Sequence, residues 1–387
     1  MNHWSGEQQS GWGHPGVYLL LCLRYSLIRT GFKLTGLIDN FAAENKKVLH
    51  LDEVTTGDRP TVGDSHGISA ALYGTPGEIH SQFHSLLAEI NKPNDDYLLT
   101  IASRLYGSQT FQFLQSYLDG IKDIYNAGLE TVDFLHASED SRGKINSWVE
   151  NQTNGKIKEL FSAGTIDPAT VLVLANAIYF KGNWAVKFKQ ENTQEINFRT
   201  NKDTSRPVQM MKQTGFFNMG YIEESQGKIL ELPYTNKHLS MFVLLPSDSS
   251  SLEKLEQDLT FEKLLELMNP ENMARKEVNL HFPRFRIEET YSLRPTLEAM
   301  GVTDIFDAES ADFSGMTTQR GLAVSKIIHK SYVEVNEEGT EAAAATGVVV
   351  GYNSSRKEEF NCDHPFLFLI RHNKSNSILF YGRVAAP

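Results

Sequence analysis

Cys362, Asp363 and His364 bring a thiol, a carboxylate and an imidazole together within three residues. A Cys–His pair does acyl-transfer chemistry when the imidazole stands beside the thiol and draws off its proton. In an extended chain, residues two apart share a face, which groups Cys362 with His364 and turns Asp363 away. Pro365 and an apolar stretch follow at once, so the spacing favours structural packing over catalysis. No HExxH or phosphate-binding glycine loop occurs, and no clustered Cys/His ligands call for a metal. Neither enzymatic turnover nor a cofactor is expected.

Three Asn-x-Ser/Thr triplets begin at Asn151, Asn353 and Asn373, a pattern that carries sugar only in secreted chains. Arg356-Lys357 is followed at once by Glu358-Glu359, which reads as a solvated loop rather than a basic docking patch.

Composition narrows the remaining classes. Among 387 residues, 37 basic side chains face 48 acidic ones, for a net charge of −11. Nucleic acid and anionic membranes both demand a positive footprint, so neither is an expected partner. Cys22 and Cys362 are the only two cysteines, too few for a disulfide scaffold and suited to a reducing compartment. The most apolar N-terminal run, residues 17–23, is seven residues long and has no basic residue before it. It is too short for a membrane span and poor as a secretion signal.

The elements are read from periodicity. Residues 144–160 place Ile145, Trp148, Val149, Ile157 and Leu160 on one helical stripe, and residues 111–125 read similarly. After Asp167-Pro168 the texture changes. Residues 170–180 form a near-continuous apolar run, as expected of a strand covered on both faces. Residues 239–245 and 277–287 also read as strands, 251–268 as a helix, and 366–370 with 378–381 as a hairpin. Helices dominate the first part and strands the rest, which is α+β segregation. No repeat or low-complexity linker divides the chain, so residues 1–387 are read as one domain.

One segment has an unusual composition. From Glu337 the chain reads EEGTEAAAATGVVVGYNSS, with four alanines, then threonine, glycine and three valines. Alanine favours helix, but glycine and the valine run do not. At period two, the even positions Thr340, Ala342, Ala344, Thr346, Val348 and Val350 are all small or apolar. From residue 340 onward, Glu341 is the only charge on the odd face. The segment can enter a sheet with its even face buried, or remain outside as an exposed loop.

Three further stretches join this segment: residues 176–184 (NAIYFKGNW), Ile328-His329-Lys330, and the ending HPFLFLI with ILFYGR. Together they resemble a serpin over residues 39–387. Within that family, the chain is most similar to the ovalbumin-like intracellular (clade B) branch and its squamous cell carcinoma antigen subgroup. The resemblance implies three β-sheets with surrounding helices and an exposed reactive-centre loop, residues 337–357. It also implies suicide inhibition of a protease. The protease acylates itself on the loop, which then inserts as a new strand and drags the enzyme on the order of 40 Å.

By the same resemblance the hinge comprises Glu337, Gly339, Thr340, Glu341, Ala342, Ala343, Ala344, Ala345 and Thr346. The reactive bond is Asn353–Ser354, with Tyr352 as the alternative reactive-site residue one position upstream. Asn176 and His329 take the gate beneath the central sheet, and Trp184 the breach at its top. The implied partner is a cathepsin-type cysteine protease or a chymotrypsin-like serine protease. A cytoplasmic monomer is expected, released from epithelium without a cleaved signal and independent of heparin.

Residues 1–37 depart from the family pattern, because no Ser-Pro occurs in the first fifty residues. That departure motivates the alternative: a non-inhibitory serpin acting as a binding or structural protein.

Overall fold

The computed structural model describes residues 76–90, 97–223, 226–249, 251–299, 301–338 and 357–387. Two hydrogen-bonded ladders organise them. The first contains β1 (Tyr97–Ser108), β2 (Gly128–Val132), β3 (Leu172–Gly182), β9 (Phe285–Ser292) and β10 (Lys326–Val335), in the order β2-β1-β3-β10-β9. The central pair is parallel. Val173 to Phe180 of β3 face Lys326 to Val333 of β10, while β1 and β9 flank them antiparallel.

The second ladder has eight strands: β4 (Gln194–Arg199), β5 (Ser205–Ile222), β6 (Gly227–Pro233), β7 (Leu239–Leu245), β8 (Ala274–Pro283), β11 (Glu358–Asn361), β12 (Phe366–His372) and β13 (Ser377–Val384). β5 is 18 residues long, pairing β4 with its first part and β6 with its last, while β8 runs alongside. That single strand makes continuous what the serpin pattern divides into two sheets.

The helices are α1 (Pro76–Ile90), α2 (Gln115–Tyr125), α3 (Ser138–Gln152), α4 (Leu252–Asp258), α5 (Phe261–Leu267) and α6 (Arg294–Ala299). α3 packs on the five-stranded sheet through Ile145 and Val149, which share a buried cluster with Tyr106, Ala177 and Tyr332. The expected helix over 144–160 ends earlier than its apolar stripe. Thr153 Oγ1 donates to the Val149 carbonyl, and Asn154 and Gly155 then turn left-handed with φ of 52° and 73°. Ile157 and Leu160 remain in the same cluster, reached by a loop. Periodicity had recorded burial, not helix.

Two other expectations divide in the same way. The 251–268 helix is α4 and α5, separated where Thr260 Oγ1 accepts from Lys263 N and starts a new helix. The 277–287 strand is β8 and β9, which part at Arg284 and enter different sheets. By contrast, β7 spans the expected residues, and β12 and β13 pair as the antiparallel hairpin.

Lys357 is exposed and outside any strand, as expected of a solvated loop, and Arg356 lies outside the described residues; Glu358 and Glu359 instead open β11, which pairs with β8. Among the described residues no helix is long and apolar enough to cross a membrane.

Candidate functional site: the seam between two parallel strands and the clamp above it

Ser103 of β1, Asn176 of β3, His329 of β10 and Tyr291 of β9 stand opposite one another in register, a row crossing four strands. Asn176 Nδ2 donates to Ser103 Oγ at 2.5 Å, and His329 Nδ1 donates to Asn176 Oδ1 at 2.8 Å. The amide therefore ties β1 and β10 to β3 at once. Tyr291 stacks its ring on His329, 6.4 Å between centroids. Asn176 and His329 are buried, at 2% and 0% exposure. Any separation of β3 from β10 must break the His329–Asn176 bond.

The bond to Asn176 fixes the His329 proton on Nδ1, and Nε2 has no partner among the described residues. Burial drops the ring's pKa from 6.5 to about 3. A depressed histidine pKa means the unfolded chain takes up a proton below pH 6.5 that the folded chain refuses. Stability contributed by His329 is thus complete at neutral pH and lost as pH falls from 6.5 toward 3. Each pH unit costs about 1.4 kcal/mol, so about 3 kcal/mol goes by pH 4.5. His329→Gln is expected to flatten that loss when denaturant midpoints are compared at the two pH values. Parallel curves for the two proteins would contradict a neutral, sequestered ring.

Above this row the parallel pairing stops at Phe180 and Val333. Trp184 bridges the mouth beyond it. Its Nε1 donates to the Asn336 carbonyl at 2.9 Å, and its ring stacks on Tyr234 at 4.5 Å. Glu337 comes next, 1% exposed, with its carboxylate held from two sides. Thr193 Oγ1 donates to Oε1 and Arg284 Nε to Oε2, each at 2.5 Å, while Phe188 N donates to the Glu337 carbonyl. Burial pushes the Glu337 carboxyl up, but the Arg284 and Thr193 bonds outweigh it and leave the pKa below the ordinary value. β10 therefore ends in a charged clamp at the junction of the two ladders.

The structure brings Asn176 and His329 together on the seam and sets Trp184 and Glu337 at its mouth. The other hinge residues, from Gly339 to Thr346, and Tyr352, Asn353 and Ser354 lie outside the described residues. Ser103, Thr193 and Arg284 escaped the sequence reading. Each belongs to no local motif, and only strand register or the clamp reveals it.

The Cys362–Asp363–His364 triplet is corrected in one respect. The chain leaves β11 at Asn361, so strand alternation no longer applies, and His364 Nδ1 bonds its neighbour Asp363 at 2.8 Å. His364 Nε2 bonds the Pro246 carbonyl at 2.9 Å, leaving no ring nitrogen for the thiol. Cys362 is fully buried, and that burial, with Asp363 adding to it, pushes its thiol well above the ordinary value. The triplet is packing, as the sequence suggested.

Residues 34–387 match the family model described as Serpin (serine protease inhibitor). The chain belongs to the serpin family. Human Serpin B4 is 53% identical over 359 residues, covering 92% of this chain and 90% of that protein. Human Serpin B3 is 52% identical over 362 residues, with the same two coverages of 92% and 90%. Human leukocyte elastase inhibitor is 51% identical over 320 residues, 81% of this serpin and 84% of that protein. Among solved structures, uncleaved ovalbumin matches with a TM-score of 0.77 at 37% identity, covering 96% of this chain and 91% of its own. Maspin matches with a TM-score of 0.74 at 32% identity and the same coverages, 96% and 91%. The α+β serpin fold and its clade B character rest on these likenesses.

Proposed function

We propose that this serpin is a suicide inhibitor of proteases, trapping its target by inserting the loop after β10 between β3 and β10. The parallel β3–β10 seam carries the reading. A segment returning from the end of β10 runs antiparallel to β10, and therefore antiparallel to β3 as well. Insertion replaces one parallel pairing with two antiparallel ones, which are the more stable per residue. The product has more hydrogen bonds than the starting sheet, so the fold holds a driving force in reserve.

In this reading residues 1–387 act as one domain. Gly339, Thr340, Glu341, Ala342, Ala343, Ala344, Ala345 and Thr346 form the hinge that enters first, starting from the Glu337 clamp. Asn176 and His329 gate the seam and Trp184 guards its mouth. The reactive bond is Asn353–Ser354, with Tyr352 as the alternative. The target is a papain-like, cathepsin-type cysteine protease, or a chymotrypsin-like serine protease. Attack by the cysteine thiolate on the Asn353 carbonyl carbon forms a thioester and frees the Ser354 amine. Relatives named as leukocyte elastase inhibitor support protease inhibition in general. Cytoplasmic residence as a monomer, with release from epithelium, completes the reading.

The test is to incubate the protein with one protease of each class, without added thiol, and separate the products under denaturing conditions. A covalent complex is expected, with a released peptide beginning at Ser354. A peptide beginning at Asn353 would move the reactive residue to Tyr352. Stoichiometric cleavage with no complex from either class would replace inhibition with the binding or structural role.

A further inference from the structure

α3 ends in a turn whose backbone requirements put a reactive dipeptide at the surface. Asn154 and Gly155 follow the helix in the left-handed region, with φ of 52° and 73°. Glycine and asparagine adopt that conformation at least cost, so the turn selects them. A Cβ at Gly155 would meet no atom within 4 Å, which leaves conformation rather than space as the reason for glycine. Asn154 is exposed. With no side chain on Gly155, nothing of its own shields the Gly155 nitrogen from the Asn154 carboxamide.

Thr153 stands just before the pair and is fully buried. Its Oγ1 donates to the Val149 carbonyl at 2.8 Å and accepts from Ile157 N at 3.1 Å. One hydroxyl thus ties the chain before the dipeptide to the chain after it. Gly155 N donates to the Glu150 carbonyl at 2.8 Å, and Lys156 N to the Thr153 carbonyl at 3.0 Å. While these bonds hold, the Gly155 nitrogen keeps its proton and its place.

We propose that Asn154–Gly155 is a site of spontaneous covalent modification by deamidation, held in check by the Thr153 hydroxyl. Opening the turn frees Gly155 N, which loses its proton to base and attacks Asn154 Cγ. The N–Cγ bond forms, the Cγ–Nδ2 bond breaks, and ammonia leaves with a proton taken from solvent. Water then opens the cyclic imide. Its attack at Cγ leaves aspartate, and its attack at the main-chain carbonyl leaves isoaspartate, whose backbone runs through Cβ and Cγ. Either product sets a new carboxylate at the C-terminal end of α3, where the helix dipole disfavours it. Isoaspartate also lengthens the main chain between Val149 and Ile157, so the Thr153 hydroxyl no longer holds both. Ile157 and Leu160 belong to the cluster buried against the five-stranded sheet, and the Glu159 carbonyl accepts from Lys330 Nζ of β10 at 2.8 Å. Ageing at this turn therefore loosens a loop packed on the sheet.

The full chain is incubated at body temperature in mildly alkaline buffer as wild type, Thr153→Ser and Thr153→Val, with wild type in denaturant as the reference. Peptide mass spectrometry follows conversion at Asn154, and an isoaspartyl methyltransferase labels the isoaspartate. Asn376, which also has φ of 52° and precedes Ser377 in the β12–β13 turn, is followed in the same digests. Conversion at Asn154 in the folded wild type is expected to be at least about tenfold slower than in denaturant, a factor that one or two hydrogen bonds supply. Thr153→Val should regain most of that difference at Asn154 alone, while Thr153→Ser, which keeps the hydroxyl, stays near wild type. The converted fraction, separated by charge, should melt below the unconverted one. No conversion at Asn154 even in denaturant would remove the site. Equal rates in Thr153→Val and wild type, or equal acceleration at Asn154 and Asn376, would remove the local guard. An identical melting midpoint for the converted fraction would remove the link between this turn and the sheet.

Discussion

Cutting the loop once is expected to raise the melting midpoint of this serpin by at least about 10 °C. About a dozen inserted residues gain roughly a dozen ladder hydrogen bonds at ~1 kcal/mol net each. At ~2.1 cal/mol/K per residue, a chain of this length melts with an entropy near 0.8 kcal/mol/K, so ~10 kcal/mol corresponds to about 12 °C. The expectation has a structural basis in the seam. β3 and β10 already carry a full parallel register from Val173–Lys326 to Phe180–Val333, and the new strand restores two ladders where one is broken. In the proposed insertion the His329–Asn176 bond must open during the exchange. The check is calorimetry of the chain before and after limited proteolysis, with the fragments kept together. An unchanged midpoint would mean that the cut loop stays outside the sheet.

Thr340→Arg is expected to convert the inhibitor into a substrate. Thr340 is the first small residue at an even position of the segment, and in the proposed insertion it enters the seam before any alanine does. An arginine there must bury its charge between two strands whose residues are almost wholly enclosed, at a cost of several kcal/mol. If ~4 kcal/mol of that cost is felt at the barrier, insertion slows about a thousandfold. Hydrolysis of the acyl-enzyme then wins, and the protease leaves active with the loop cut. Titrating a target protease measures the ratio of complex to cleaved chain. Thr340→Ala should retain the complex, since its side chain is equally small. Stable complexes from the arginine variant at wild-type yield would show that insertion does not begin with this face.

Both expectations depend on features visible at different levels. The uncharged even face from Thr340 to Val350 is a property of the residues in order, and so is the apolar run that became β3. The β12–β13 hairpin was equally legible, because an apolar strand, a polar turn and a second apolar strand leave little choice of pairing. Where the reading misjudged extent, the cause was one physical ambiguity. Ile157 and Leu160 continue a helical stripe yet are buried from a loop, and β8 and β9 form one apolar run yet serve two sheets. Hydrophobic spacing reports that a side chain is covered, and covering comes from outside the segment.

The sequence by itself determined the α+β order, the composition of the segment after Glu337, and the family to which the chain belongs. It also marked Asn176, Trp184 and His329, though without their partners. The tertiary structure alone decided that Ser103 meets Asn176 across 73 residues and that Asn176 meets His329 across 153. It alone set Thr193 and Arg284 on Glu337 and gathered Tyr221, Lys228 and Lys276 around Glu358. Periodicity is a local record of which face is dry. Register between distant strands, and the ion pairs at their ends, are fixed only when the sheets pack and each buried polar group must find its bond.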